Sequence, residues 1–154
     1  MNIELLADHT ESITTLADWY VREWGPYYGV EGPGDARADL ESCCNTNTIP
    51  ICMVAIDGSQ LLGVVALDVD VATMLTPSVV GLLVAGEFRG QGVASRLLES
   101  AVSLAEELGY PRVYISTSVL DKHLLHSGWR LFGEVRFLND QQGSTYVRDL
   151  DSAT

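Results

Sequence analysis

From Arg89 to Ser95 the chain reads Arg-Gly-Gln-Gly-Val-Ala-Ser, a composition suited to holding an anion. Gly90 and Gly92 let main chain approach a ligand with no Cβ in the way. The residues that follow carry a helical period. The first N–H groups of that helix therefore have no intrahelical acceptor and sit at the positive end of its macrodipole. A diphosphate satisfies both deficits together, and Arg89 and Arg96 add positive charge nearby. A tight helix start with no ligand is the plainer account of the same residues. A P-loop would need Gly-Lys-Ser/Thr, which is missing here, and Ser95 stands where a dinucleotide fingerprint has its third glycine.

Other candidates for chemistry are more scattered. Asp68 and Asp70 end an apolar run, and period-two spacing puts them on one face of a strand. Together they can raise one another's pKa or bind a cation; a solvated strand end is the simpler reading. Trp24, Tyr27 and Tyr28 border a Gly/Pro-rich stretch, where aromatic side chains either line a pocket or pack the core. His123 and His126 fall on a short polar segment and His9 precedes a helix, so surface positions are expected for all three. Cys43, Cys44 and Cys52 form no C-x-x-C pair and read as reduced thiols. No metal-ligand spacing is present.

The elements that must position these groups follow from periodicity. Val79–Val84 is an apolar strand leading into the glycine loop. Val93, Ala94, Leu97, Leu98, Ala101, Val102, Leu104, Ala105 and Leu108 then make one helical stripe. Gly109 and Pro111 end that helix. Upstream, Asn2–Asp8 reads as a strand, and Ile13, Leu16, Ala17, Tyr20, Val21 and Trp24 as a helix closed by Gly25-Pro26. The stretch Gly25–Gly34 reads as a loop, and Asp35–Cys44 as a second helix. Ile51–Ile56 and Leu61–Leu67 form a hairpin across Asp57-Gly58. Val69–Pro77 is a loop or fraying strand end, Arg112–Thr117 a strand and Asp121–His126 a short helix. Trp129–Phe137 and Thr145–Arg148 make a last hairpin across Asn139–Gly143. The order is β-α-α-β-β-β-α-β-α-β-β, an α/β (α+β) single domain over residues 1–154.

A chain of 154 residues that is 47% hydrophobic can bury a full core. Its apolar runs are strand-sized, too short to cross a membrane, and Met1–Asp8 carries acids instead of a basic, apolar leader. A cytoplasmic location is expected. The net charge of −12 disfavours nucleic acid and favours a cationic partner.

With those elements in place, Arg89-x-x-Gly92-x-Ala94 resembles the acetyl-CoA-binding signature (Gln/Arg-x-x-Gly-x-Gly/Ala) of the GNAT family of N-acetyltransferases. Leu124-Leu125-His126-Ser127-Gly128-Trp129 is similar to that family's closing Tyr-x-x-x-Gly-Phe/Trp segment. The element order matches over nearly the whole chain. The resemblance implies an acyl-CoA N-acyltransferase fold, with a mixed, mostly antiparallel sheet of about seven strands and four helices. It implies that Leu82, Leu83 and Val84 pair with the pantetheine arm of coenzyme A, and that Arg112–Thr117 diverges to open a cleft. Gln91, Gly92, Val93, Ala94 and Ser95 would donate to the pyrophosphate beside Gly90, with Arg89 flanking it. A main-chain N–H near Val84 would polarise the thioester. The amine of a small molecule or peptide would attack acetyl-CoA directly in a ternary complex, with no metal, and the fold would allow a homodimer. The chain departs from the family at Leu124, where a tyrosine often protonates the departing thiolate. It also lacks a carboxylate near Val80 or Gly81. Asp68, Asp70 and His123 are the candidate substitutes, and Trp24, Tyr27 and Tyr28 the candidate acceptor pocket. The alternative is a non-catalytic acyl-CoA-binding or sensing module.

Overall fold

A computed structural model describes residues 1–29, 32–118, 121–137 and 140–150, without the side chains of residues 121–123. Seven strands form one sheet in the order β1-β2-β3-β4-β5-β7-β6. They are β1 (Asn2–Leu5), β2 (Ile51–Asp57), β3 (Gln60–Asp68), β4 (Ser78–Val84), β5 (Arg112–Thr117), β6 (Arg130–Arg136) and β7 (Gln142–Asp149). Every neighbouring pair is antiparallel except β4 and β5. That parallel junction is the one a helical crossover must bridge. The helices are α1 (Ile13–Glu23), α2 (Gly25–Tyr28), α3 (Ala36–Ser42), α4 (Val93–Glu107) and α5 (Asp121–His126).

Burial on both sides of the sheet explains the unbroken apolar runs of β2 and β3. Five consecutive residues of β2, Ile51–Ala55, are buried, as expected for a strand sandwiched between two layers. On one face α4 lays Val93, Leu97, Leu98, Ala101, Val102 and Ala105 against Met53, Leu67, Val79 and Val113. On the other, Ile13, Leu16 and Tyr20 of α1 and Ala36 and Leu40 of α3 cover Cys52, Val54, Val64 and Ala66. Leu97 is fully buried, and replacing such a leucine with alanine costs about 2–5 kcal/mol.

The helix ends follow their sequence signals. The Asp35 side chain accepts the Ala38 amide at 3.1 Å and caps α3. Gly109 (φ 88°) closes α4, with Tyr110 N donating to Ala105 O at 3.1 Å, the long back-bond of a left-handed helix stop.

Four segments differ from the sequence-based expectation. β1 stops at Leu5, and Leu6–Asp8 forms a 3-10 turn in place of a strand reaching Asp8. Gly25–Tyr28 forms one helical turn instead of a loop, because Pro26 at the first turn gives up only an N–H that has no partner there. The α elements therefore number five among the described residues. β7 begins at Gln142, three residues before the expected Thr145, and Asn139 of the expected turn lies outside the described residues. β3 ends at Asp68, which leaves Asp70 outside the strand.

Candidate active site

The parallel junction holds for only two residue pairs, Ser78 with Tyr114 and Val79 with Ile115. Past Val79 the two strands part, and the edge of β4 from Val80 to Val84 faces β5 without a ladder. A register shift between Val64 and Ala66 places Val80 opposite Ala66 and Leu83 opposite Val64. Two residues of β4, Gly81 and Leu82, therefore oppose Val65 alone. Gly81 has φ 61°, a left-handed value that favours glycine, and the bulge disrupts the ladder and bends the strand there.

At the end of β4 lies the glycine loop. Gly90 (φ 79°) and Gly92 (φ 82°) are both left-handed, and a Cβ built at either would meet nothing within 4 Å. Gly92 is the N-cap of α4 and contributes no side-chain cap. Among the described residues, the amides of Gly90, Gln91, Gly92, Val93 and Ala94 donate to no protein acceptor. These five N–H groups run in succession into the positive end of a 15-residue helix. This donor set fits an anionic diphosphate. Ser95 lies in the first turn of the same helix.

The arginines are deployed differently from expectation. Arg89 Nε donates to Val84 O at 3.1 Å, and its Nη2 lies 3.6 Å from Glu23 Oε2. Its guanidinium therefore ties the loop to β4 and to the end of α1. Ala85 N donates to Leu62 O on the β3 side, so by strand alternation the Val84 amide and carbonyl point the other way. Arg96 reaches Met1 O at 3.5 Å and lines a groove of about 660 Å³ between α4 and β1, away from the parted strands.

The opposite face of the sheet gathers the remaining candidates. Tyr20 makes edge contact with Trp24 (5.1 Å between ring centres) and a tilted contact with Tyr28 (5.6 Å), while Tyr27 stands edge-on to Tyr28 at 4.8 Å. The Tyr28 hydroxyl donates to Asp39 Oδ2 at 2.8 Å. Burial, the Asp39 carboxylate and neighbouring groups push the Tyr28 phenol up. Burial also raises the Asp68 carboxyl; the Val69 amide, 2.7 Å from Asp68 Oδ1, opposes that shift and the Asp39 charge adds to it. Asp68, Asp39 and Cys43 are close enough to feel one another electrostatically. Asp70 is employed otherwise: its Oδ1 accepts the Ala72 amide at 2.9 Å and its main chain holds Met74 and Leu75. It organises the Val69–Pro77 loop, and the shared face expected for Asp68 and Asp70 is not formed.

The sequence matches the acetyltransferase (GNAT) family over residues 13–126. The chain belongs to that family. Its members use acetyl-CoA as acetyl donor, and no group of three or more His, Cys, Asp or Glu able to hold a metal occurs among the described residues. The fold is similar to that of an aminoglycoside 6'-acetyltransferase type Ii (TM-score 0.75, 18% identity, 97% of each chain covered). It is similar also to an aminoglycoside 6'-N-acetyltransferase complexed with coenzyme A (TM-score 0.70, 14% identity, 97% of each chain). A third likeness is a GNAT acetyltransferase from Elizabethkingia anophelis with acetyl-CoA bound (TM-score 0.58, 18% identity, 77% of this chain and 84% of that one). No curated protein sequence matches the chain.

Against the family pattern, Leu124 is fully buried and packs in the α4-side core, so the usual tyrosine position carries an apolar wedge. The side chain of His123 lies outside the described residues, while the backbone there belongs to α5. His9 is paired, with Nε2 2.9 Å from Glu4 Oε1 and Nδ1 3.4 Å from Glu11 Oε1, instead of simply exposed. Sequence reading missed Tyr20 and Asp39 as site residues. Their signal was spacing: Tyr20 lies one turn before Trp24 on α1, and Asp39 one turn after the capping Asp35 on α3.

Proposed function

We propose that this chain is an acetyl-CoA-dependent N-acetyltransferase that acetylates a primary amine of a small cationic molecule by direct attack in a ternary complex. The observation that carries this reading is the set of five unpaired amides from Gly90 to Ala94, set beside a β4 edge that β5 leaves open. Those amides and that of Ser95 hold the pyrophosphate; Leu82, Leu83 and Val84 offer main chain to the pantetheine arm. The bulge at Gly81-Leu82, instead of Val84 itself, presents main chain to the thioester carbonyl, where an N–H stabilises the developing oxyanion. Arg89 acts as a brace.

The acceptor enters from the α1/α3 face, where Trp24, Tyr27 and Tyr28 form an aromatic wall and Asp68 and Asp39 supply negative charge. Overall charge of −12 draws cations toward the molecule. Deprotonating an amine with a lysine-like pKa costs about 4.6 kcal/mol at pH 7; partial desolvation lowers that cost, and Asp68 is the nearest candidate base. The thiolate leaves with a pKa near 8.5 and needs little assistance. Aminoglycosides, the acceptors named for two structural neighbours, are the first class to assay. Exposed Leu131 and Phe132 on the edge strand β6 suit pairing with a second copy.

Titration of the protein with acetyl-CoA tests this reading: the parent chain binds in the micromolar range typical of co-substrates, and Gly92→Val abolishes binding with the fold retained. Normal binding by Gly92→Val overturns the loop assignment. A second reading, an acyl-CoA-binding module without turnover, is favoured by the apolar, buried Leu124. Thiol release across aminoglycosides, polyamines, amino acids and peptide N-termini separates the two.

A further inference from the structure

The chain leaving α3 pairs briefly with β2. Cys44 stands opposite Ile51 in an antiparallel bridge, so the next pair in that register is Cys43 with Cys52. The main chain agrees, since Cys52 N donates to Cys43 O at 2.9 Å. Opposed residues of a hydrogen-bonded antiparallel pair have Cα atoms about 5.5 Å apart. That lies inside the window of about 4.4–6.8 Å that a disulfide requires. Both side chains belong to the buried layer beneath α1 and α3, and the two thiols, both free, hydrogen-bond to one another. Neighbouring Cys44 is committed elsewhere, its Sγ donating to Leu40 O at 3.6 Å.

The pair is asymmetric. Cys43 ends α3 and is 8% exposed, whereas Cys52 within β2 is 1% exposed. The hydrogen bond from Cys52 pulls the Cys43 thiol down, against burial and the Asp68 charge; the same contact, with burial, pushes Cys52 up. A thiolate is the nucleophile in thiol oxidation, so Cys43 attacks and Cys52 resolves. With hydrogen peroxide as oxidant, the Cys43 sulfur takes one oxygen as the O–O bond breaks, giving a sulfenic acid. The departing hydroxide recovers the proton that Cys43 gave to solvent and becomes water. The Cys52 sulfur then attacks the Cys43 sulfur, the S–O bond breaks, and the released hydroxide takes the Cys52 proton. Two thiols thus lose two electrons and two protons, and one peroxide becomes two waters.

We propose that Cys43 and Cys52 are a reversible disulfide site, with Cys43 as the peroxide-attacking thiol, that ties the end of α3 to β2. α3 also carries Asp39, which holds the Tyr28 hydroxyl, so the bond fastens one wall of the proposed acceptor side. The inference is independent of the acetyl-CoA reading.

The test is treatment of the folded full chain with hydrogen peroxide, then unfolding, alkylation of remaining thiols and peptide mass spectrometry. Expected is the loss of two hydrogens in the peptide that spans both residues, one alkylated cysteine there, and return of all three thiols on reduction with dithiothreitol. Cys44→Ser keeps the bond, which assigns it to Cys43 and Cys52. Cys52→Ser loses it and leaves a sulfenic acid on Cys43 that dimedone traps. Closing a loop of about ten residues raises the melting temperature of the oxidised chain by about 5 °C. Three fully alkylatable thiols after peroxide treatment overturn the proposal, as does loss of the bond in Cys44→Ser. An oxidised chain that melts below the reduced one overturns it too, because the native register would then not be set for the bond.

Discussion

Arg89 Nε donates to the carbonyl oxygen of Val84 at 3.1 Å, fastening the glycine loop to the last residue of β4. The same guanidinium lies 3.6 Å from Glu23 at the end of α1. One side chain thus joins three elements that surround the proposed co-substrate path. A fork of fixed donors suits such bridging better than a point charge.

Arg89→Ala is expected to weaken acetyl-CoA binding about tenfold, the equivalent of one charge-assisted hydrogen bond of about 1.4 kcal/mol. Arg89→Lys is the informative partner. If bracing is the role, lysine behaves like alanine; if charge alone matters, it behaves like the parent. Titration of each variant with acetyl-CoA decides.

Leu124→Tyr restores the residue type that the family often carries, yet it is expected to harm the protein. Leu124 is fully buried among the α4-side core, and overpacking of this kind costs about 1–3 kcal/mol. For a chain of this size that is a melting temperature lower by roughly 2–10 °C. Calorimetry should show the drop without any gain in thiol release. A stable variant with faster turnover would mean that position 124 opens toward the cleft.

The Asp68 carboxyl is held above its ordinary value of 3.8 by burial. Between the unfolded and the raised folded value, the folded state binds more protons, so stability falls as pH rises through that window and stays lower above it. Asp68→Asn removes the buried charge while keeping an oxygen for the Val69 amide. Its melting temperature should exceed that of the parent at pH 7 and converge with it below about pH 4. Parallel profiles would show that the carboxylate is well solvated. In the same variant, slower acetylation with unchanged acetyl-CoA affinity would mark Asp68 as an acceptor-side residue.

His9 gives a slope of the same sign for the converse reason, since here the charged form is the favoured one. Glu4 chiefly, with Glu11, holds its imidazolium above the ordinary 6.5 against some desolvation. Its stabilisation is fully present below that value and is lost as pH rises through the raised one. His9→Gln should flatten the stability profile across pH 6–8, measured by denaturant midpoints.

Much of this was legible from residue types. Strong periodicity gave α1, α4 and the buried strands, because a stripe of apolar residues has only one way to face a core. Gly109 announced a helix end through backbone chemistry that needs no tertiary partner. Two of the failures had local causes. Asp70 reads as strand-phased with Asp68, but its carboxylate is diverted to the Ala72 amide and bends the chain away. Tyr27 and Tyr28 follow a Gly-Pro pair that looks like a break, although proline is at home in a first helical turn. Tyr20 reads as ordinary core, and its contact with the left-handed Gly81, 61 residues later in the sequence, has no local signal.

A seven-stranded sheet whose middle is joined by two rungs behaves mechanically as two stiff plates sharing a short hinge. Because α4 packs on Val79 of one plate and on Val113 of the other, it holds the two at a fixed angle. The width of the gap between β4 and β5 is therefore set by the same helix whose first amides form the proposed pyrophosphate site.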